Sequence, residues 1–292
     1  MIPAVREPAE RREPVREYVL TDKQFAAIAT LVRGEAGINL TEAKRDLVFS
    51  RLVKRLRRLG IPDFGTYIDL VGSSAGVEER RELISAITTN VTNFYREPHH
   101  FEHLESQVMP ELAGRLTKGE SVRMWSAGCS DGREPYTIAC TVLKAFPEAA
   151  RYNFRILASD IDHNSLAKAK EGHYSTEMVD KAPPAIRDRY FKRSGDHSEP
   201  VAQVRDLVAF RFLNLLHDWP FKQKFDVIFC RNVLIYFEQD LQSQLFSRFC
   251  SVLKPGGFLY IGHSERVSGP ASTALRQVGV TTYKHVPSGG IR

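Results

Sequence analysis

Between residues 20 and 90, apolar positions recur every three or four residues, the spacing of helices that bury one face. Phe25, Ile28, Leu31 and Val32 share one such face. Thr21, with Gln24 three residues on, is a capping-box signature at the start of this helix, and Gly37 supplies a stop. A second helix is predicted from about Glu42 to Leu59, with Val48, Leu52, Leu56 and Leu59 on its stripe and Gly60 as its end. Third and fourth helices are predicted to begin near Phe64 and Val77, with no β-rich stretch before residue 120.

The pattern then changes. Apolar runs of strand length occur at Val122 to Ala127, Phe154 to Ser159, Val208 to Leu213, Phe225 to Cys230 and Phe258 to Ile261. Helical patterns lie between several of them, notably Pro135 to Phe146 and Gln239 to Leu253. This alternation predicts a mostly parallel sheet covered on both faces, an α/β fold. Lys254-Pro-Gly-Gly257 reads as the turn from a helix into a strand, and Thr281 to Val286 as an edge strand. Between Tyr190 and Leu207 the chain turns polar, with Gly195 and Pro200, which reads as an excursion from the sheet.

Composition narrows the function classes. Of 292 residues, 42% are hydrophobic, enough for a substantial core. No apolar run approaches the ~20 residues of a membrane span, and Met1 to Arg16 lacks a signal peptide's apolar centre. Cys129, Cys140, Cys230 and Cys250 are scattered, which argues against a structural zinc site and for a reducing compartment. A cytoplasmic, soluble protein is expected. The net charge is +6, and Lys44 to Arg58 alone holds seven basic residues against one acid, Asp46. So local a patch suggests an acidic or phosphate-bearing partner.

The candidate chemistry lies at the strand ends. The first strand runs into Ser126-Ala-Gly-Cys-Ser-Asp-Gly-Arg-Glu-Pro-Tyr136, where Gly128 and Gly132 let the backbone approach a ligand. It is neither G-x-G-x-x-G nor a phosphate-binding P-loop. Glu134, at the following helix start, can receive the ammonium of an amino-acid ligand. The second strand ends in Ala158-Ser-Asp-Ile-Asp162, and Asp160 is placed to accept both hydroxyls of a ribose or, alternatively, to cap the next helix. A nucleoside bearing an amino-acid group, such as S-adenosylmethionine, fits the pair. His99 and His103 are one helical turn apart, as in some metal sites, but without further ligands nearby they read as helix-face residues, and no metal is expected.

Several segments resemble the chemotaxis receptor methyltransferases, the CheR family. They are Thr89-Asn-Val-Thr-Asn-Phe-Tyr-Arg-Glu-Pro-His-His-Phe101, Trp125 to Tyr136, Ala158 to Asp162, Phe229-Cys-Arg-Asn-Val-Leu-Ile-Tyr-Phe237, Leu253 to Gly257 and Gly262-His-Ser-Glu265. The resemblance covers about residues 20 to 286 and implies a small all-α N-terminal domain, a Rossmann-like class I methyltransferase domain and a small β insertion. The expected division is a flexible tail at 1–17, a helical receptor-recognition domain at 18–88 and a linker with cofactor contacts at 89–105. The catalytic domain would follow at 106–287, with a β subdomain about 188–210, and a tail at 288–292.

Carried over by motif, the S-adenosylmethionine contacts would be Asn90, Thr92, Arg96, Glu134, Asp160, Asn214, Leu215, Arg231 and Asn232. Arg96 and Tyr236 would line the reaction centre. One departure from the family is Arg133, where an acid is usual. The implied activity is esterification of glutamate side chains on the cytoplasmic methylation helices of chemoreceptors, leaving S-adenosylhomocysteine. Arg51, Lys54, Arg55, Arg57 and Arg58 would dock those helices. Pro200 and the single Gly195 in the insertion point away from dependence on a C-terminal receptor pentapeptide. A monomer without a nucleic-acid partner is expected.

Two rival readings stand beside this one. A nucleic-acid methyltransferase would use the basic helix on phosphates, but Cys230 to Tyr236 is not the Pro-Pro-Tyr type of loop used on amino groups, and Cys230 follows Phe229 rather than Pro or Thr. A non-catalytic cofactor-binding module is the second, and retention of Arg96, Glu134, Asp160 and Tyr236 speaks against it.

Overall fold

A computed structural model describes residues 18–88 and 90–286. The tails expected at 1–17 and 288–292, with Thr89 and Pro287, lie outside the described residues.

The N-terminal unit is four helices, α1 Asp22–Ala36, α2 Arg45–Leu59, α3 Phe64–Gly72 and α4 Val77–Ile87. The capping box at α1 forms as expected, Thr21 and Gln24 each accepting the other's backbone N–H. Gly37 and Gly60 end α1 and α2 with φ of 72° and 67°, a region that costs a residue with a Cβ and suits glycine. The predicted start of the second helix, Glu42–Lys44, is a 3-10 turn instead. Phe25, Ile28, Leu52, Leu56, Phe64 and Tyr67 form a core that belongs to this unit. Ile161 and Tyr236 of the larger unit pack against it.

The larger unit opens with α5 His99–His103 and α6 Met109–Thr117, joined by a π-helical turn. Then come β1 Val122–Ala127, α7 Arg133–Ala145, β2 Phe154–Asp160 and α8 His163–Glu171. The insertion holds β3 Tyr174–Ser175, α9 Thr176–Val179, α10 Pro184–Tyr190, β4 Phe191–Ser194, β5 His197–Pro200 and α11 Ala202–Arg205. The chain ends with β6 Val208–Phe212, β7 Phe225–Cys230, α12 Gln239–Val252, β8 Leu253–Ile261, β9 Leu275–Gly279 and β10 Thr282–His285.

Seven strands make one sheet in the order β6-β2-β1-β7-β8-β10-β9. The first five are parallel, and β10 runs antiparallel to both β8 and β9. From β1 the chain first builds outward to β2 and β6, then returns to place β7 on the other side of β1. Strand order reverses between β1 and β7, and that is where an open α/β sheet leaves a crevice at its carboxyl ends.

Three details differ from the sequence expectation. The small sheet, ordered β3-β5-β4, begins at Tyr174 rather than near 188, and residues 208–212 pair with β2 from Ile156–Val208 to Asp160–Phe212. Pro200 ends the central strand β5, opposite Phe191, so its missing N–H does not lie on an open edge. Lys254 to Gly257 lies within β8, where the ladder steps from Phe225–Leu253 to Val227–Phe258 across a bulge.

Candidate functional site

A cleft of ≈1180 Å³, solvent at its mouth included, opens at the carboxyl ends of β1, β2 and β7 beneath the helical unit. Asn90, Thr92, Arg96, Glu134, Asp160, Asn214, Leu215, Arg231, Asn232 and Tyr236 all line it.

Its floor is the loop after β1. Gly128 has φ of 78°, and a Cβ there would stand 2.3 Å from Val233 Cγ2, so only glycine lets loop and β7 segment meet. Gly132, at φ of 92°, is likewise closed off by the Tyr174 hydroxyl and Ala169. Arg133 is buried and forked onto Asp131 at 2.7 Å, so the family departure is neutralised by its own neighbour.

Asp160 ends β2 with a buried carboxylate. Oδ2 accepts the Ser130 N–H at 2.7 Å and Oδ1 the Asp162 N–H at 2.9 Å. Each oxygen keeps a second lone pair, which suits two adjacent hydroxyls. Burial pushes the carboxyl up to about 6 against those hydrogen bonds. Asp160 thus does not cap α8; Asp162 does, accepting the Asn164 N–H.

Glu134, in the first turn of α7, accepts the Ser126 hydroxyl at 2.8 Å and pairs with Arg231 at 3.0 Å. Burial raises its carboxyl above the usual range although Arg231 and Ser126 oppose the shift. A second cation entering the cleft would meet a carboxylate only partly neutralised by Arg231. Buried acids at both sites and a glycine floor fit a ligand carrying a ribose and an ammonium group.

Arg96 and Tyr236 line the same cleft. One of the five Arg96 N–H donors goes to the Val91 carbonyl at 2.8 Å. Tyr236 ends a 3-10 turn, its carbonyl accepting the Asn39 N–H and its ring lying under Lys44 Nζ. Burial raises its hydroxyl, with Arg96 and Arg51 opposing. The Asn90 amide faces Asp162 at 2.6 Å and Ser165 at 2.8 Å. Asn214 bonds the Glu35 carbonyl and the Leu216 N–H, tying α1 to the sheet.

Two important acids carried no role in the sequence reading, although both lie in quoted motifs. Glu265 is buried and accepts five backbone N–H groups, those of Gly262, Asn232, Val233, Leu234 and Ile235. It holds Asn232 at a φ of 59°. Glu97 accepts from His263 and faces Arg231, which also donates to the Arg96 carbonyl. Burial works to raise the Glu97 carboxyl, but Arg231 and His263 outweigh it and hold it at about 2.

The histidines lie on a helix whose face turns inward, with His99 and His103 half-buried. His100 is fully buried against Glu97, and burial with Arg231 and His99 pushes it down to about 3. His103 Nδ1 lies 2.8 Å from the Tyr260 hydroxyl.

The five candidate docking residues of α2 separate into two groups. Arg55 is nearly buried and forks onto Glu79 and Glu82 at 2.6 Å. Arg51 donates to the carbonyls of Ala86, Ile87 and Thr88 at the end of α4. Both arginines brace the helical unit. Lys54, Arg57 and Arg58 are exposed, while Lys44 turns into the cleft. All four cysteines are free thiols. No helix of the described residues is long and apolar enough to cross a membrane.

Comparison with known proteins matches this architecture unit by unit. A family model described as CheR methyltransferase, all-alpha domain, matches residues 23–88. One described as CheR methyltransferase, SAM binding domain, matches residues 90–284. A probable chemotaxis protein methyltransferase of Rhizobium etli is 48% identical over 263 residues, covering 89% of this chain and 98% of its own. Chemotaxis protein methyltransferases of Escherichia coli and Borreliella burgdorferi are 42% and 38% identical, covering 85% and 91% of this chain and 86% and 95% of their own. The chain belongs to the CheR methyltransferase family, chemotaxis-type methyltransferases with an all-α domain followed by an S-adenosylmethionine-binding domain.

Proposed function

We propose that this protein methylates glutamate side chains of bacterial chemoreceptors, forming methyl esters with S-adenosylmethionine as donor. What supports the reading is one cleft in which two buried acids, Glu134 and Asp160, lie with Arg96 and Tyr236. When bound, S-adenosylmethionine supplies an electrophilic methyl group on a sulfonium. Asp160 accepts the ribose hydroxyls, and Glu134 receives the ammonium of the amino-acid end.

A glutamate carboxylate, with an unperturbed pKa of ~4.3, is ionised at neutral pH and needs no general base. The protein's task is to strip its water and hold it in line with the methyl group. Arg96 orients the carboxylate through charge-assisted N–H donors, and Tyr236 contributes a further donor. Arg96 can do this without moving, because its backbone carbonyl is held by Arg231 and its side chain by Val91. Full neutralisation would weaken the nucleophile, so the arginine positions it rather than sequesters it.

The methylation helices, rich in glutamate, dock on the exposed cations Lys54, Arg57 and Arg58. No C-terminal receptor pentapeptide is required. The edges of the small sheet are the two-residue β3 and the four-residue β4, and on β4 Lys192 and Arg193 stand exposed, charges that discourage strand addition. Incubation with tritiated S-adenosylmethionine and receptor-containing membranes tests the reading. Base-labile, volatile label on receptor protein is expected, undiminished on tail-truncated receptors. Label on RNA, or none on receptor, overturns it.

A further inference from the structure

Beside the turn that carries Arg96, three buried polar atoms have no hydrogen-bond partner: Glu97 Oε2, His99 Nε2 and His100 Nδ1. Each of the three residues offers one ligand atom, all within 4.8 Å of one another, and Glu97 Oε2 is 3.6 Å from His100 Nδ1. The other ring nitrogen of His100 has two oxygen neighbours. Nε2 lies 3.3 Å from the Val280 carbonyl and 2.9 Å from the Thr281 hydroxyl. With the hydrogen on Nε2, donated to the Val280 carbonyl, Nδ1 presents a lone pair. The ring is fully buried. In that tautomer a carboxylate oxygen and an imidazole lone pair face each other with no hydrogen between them. Two acceptors cannot satisfy one another, and neither reaches solvent.

We propose that Glu97, His99 and His100 form a binding site for a divalent transition-metal ion. Two imidazole nitrogens and one carboxylate oxygen suit zinc, cobalt or nickel, not magnesium or calcium, which take oxygen ligands. With His100 Nδ1 on the ion, Nε2–H is left to donate to the Val280 carbonyl, as metal-bound histidines do to their outer partners. His263 Nδ1 occupies Glu97 Oε1 at 3.0 Å, which leaves Oε2 for the ion. The opposing feature is Arg231, whose guanidinium is 3.4 Å from Glu97 Oε2. That guanidinium also serves Glu134 at 3.0 Å, so Arg231 is shared between two carboxylates rather than held by Glu97 alone. The remaining coordination positions belong to water.

The site adjoins the cleft through the backbone. Tyr95 and Glu97, on either side of Arg96, have φ of 54° and 56°, conformations rare for residues with a Cβ. An ion holding Glu97 fixes that turn, and with it Arg96.

Full-length protein without a histidine tag, stripped with chelator, is titrated with Co²⁺ and followed by visible absorption and calorimetry. One Co²⁺ per chain is expected, with d–d bands of nitrogen and oxygen coordination and no thiolate charge-transfer band, and Zn²⁺ should displace it. His99→Ala should weaken binding by more than the ~100-fold that loss of an outer partner can cost. Glu97→Gln, nearly isosteric, should do the same. Far-UV circular dichroism establishes that both variants are folded. Failure of the parent protein to take up Co²⁺ saturably overturns the proposal. So does uptake by both folded variants at parental affinity, which would put the ion elsewhere.

Discussion

Replacing Glu265 by glutamine tests how the cleft is held together. Its side chain is 3% exposed. Oε1 accepts the N–H groups of Val233, Leu234 and Ile235, and Oε2 those of Asn232 and Gly262. Glutamine keeps the shape but turns one oxygen into an NH₂ group. Whichever way the amide faces, at least two backbone N–H groups then point at a donor. Hydrogen bonds to a charged acceptor contribute ~1.5–3 kcal/mol each, so losing two costs ~3–6 kcal/mol. Local relaxation favours the lower end, because single substitutions above ~4–5 kcal/mol are exceptional. The segment that relaxes first is the one under backbone strain, Asn232 at φ of 59°, which lines the cofactor cleft. Urea unfolding followed by the fluorescence of Trp125 and Trp219 should show a loss of ~3 kcal/mol with unchanged denaturant dependence. Calorimetry on the folded variant should show S-adenosylhomocysteine binding at least ~10-fold weaker, a change of ~1.4 kcal/mol. A stability loss within the ~0.5 kcal/mol typical of surface changes, together with unchanged affinity, would refute the reasoning.

Further outcomes follow from individual side chains. Only an ionised Asp160 accepts both ribose hydroxyls, and its carboxyl sits at about 6, so affinity is lost as pH falls through that value. S-adenosylhomocysteine should bind ~10-fold more weakly at pH 5 than at pH 8, and Asp160→Ala should lose ~1.5–3 kcal/mol of binding at pH 8; a flat pH profile would contradict the assignment. Arg96→Ala should lower turnover more than receptor affinity when both substrates saturate, and normal turnover there would exclude the positioning role. Glutamates at Lys54, Arg57 and Arg58 should weaken receptor methylation, less so as salt rises, and spare cofactor binding; methylation insensitive to both would remove α2 as the docking face. Arg55→Ala should instead destabilise the fold by ~3 kcal/mol, because Glu79 is left buried without its cation, a difference that urea unfolding measures directly.

Local signals were readable without coordinates where the physics was local. The Thr21–Gln24 capping box spans three residues, and Gly37 and Gly60 answer to their own φ angles. The parallel strands could be located because burial on both faces makes a strand apolar over most of its length, as in β7, where every residue is buried and all but Asp226 are apolar. Strand β9 escaped the same reading because Arg276, Gln277 and Val278 are exposed on a sheet edge, which leaves no apolar period. The reach of the small sheet was also missed, since β3 has only two residues and too short a pattern to register.

The amino-acid sequence by itself determined the helix periods and caps, the run of parallel strands, the family and the side chains that meet in one cleft. Those properties depend on neighbours a few residues apart, or on motifs that keep their order along the chain. Which charges are free was decided only by the tertiary structure. The concentrated charge of α2 was visible in the sequence, yet Arg55 is spent on Glu79, 24 residues away, and Arg51 on carbonyls 35 to 37 residues away. Glu265 takes four of its five N–H groups from residues 30 to 33 positions earlier. Glu97 meets Arg231 only because the chain returns to place β7 beside β1. A charged group is satisfied by whatever lies within a few ångströms, and folding alone sets that neighbourhood.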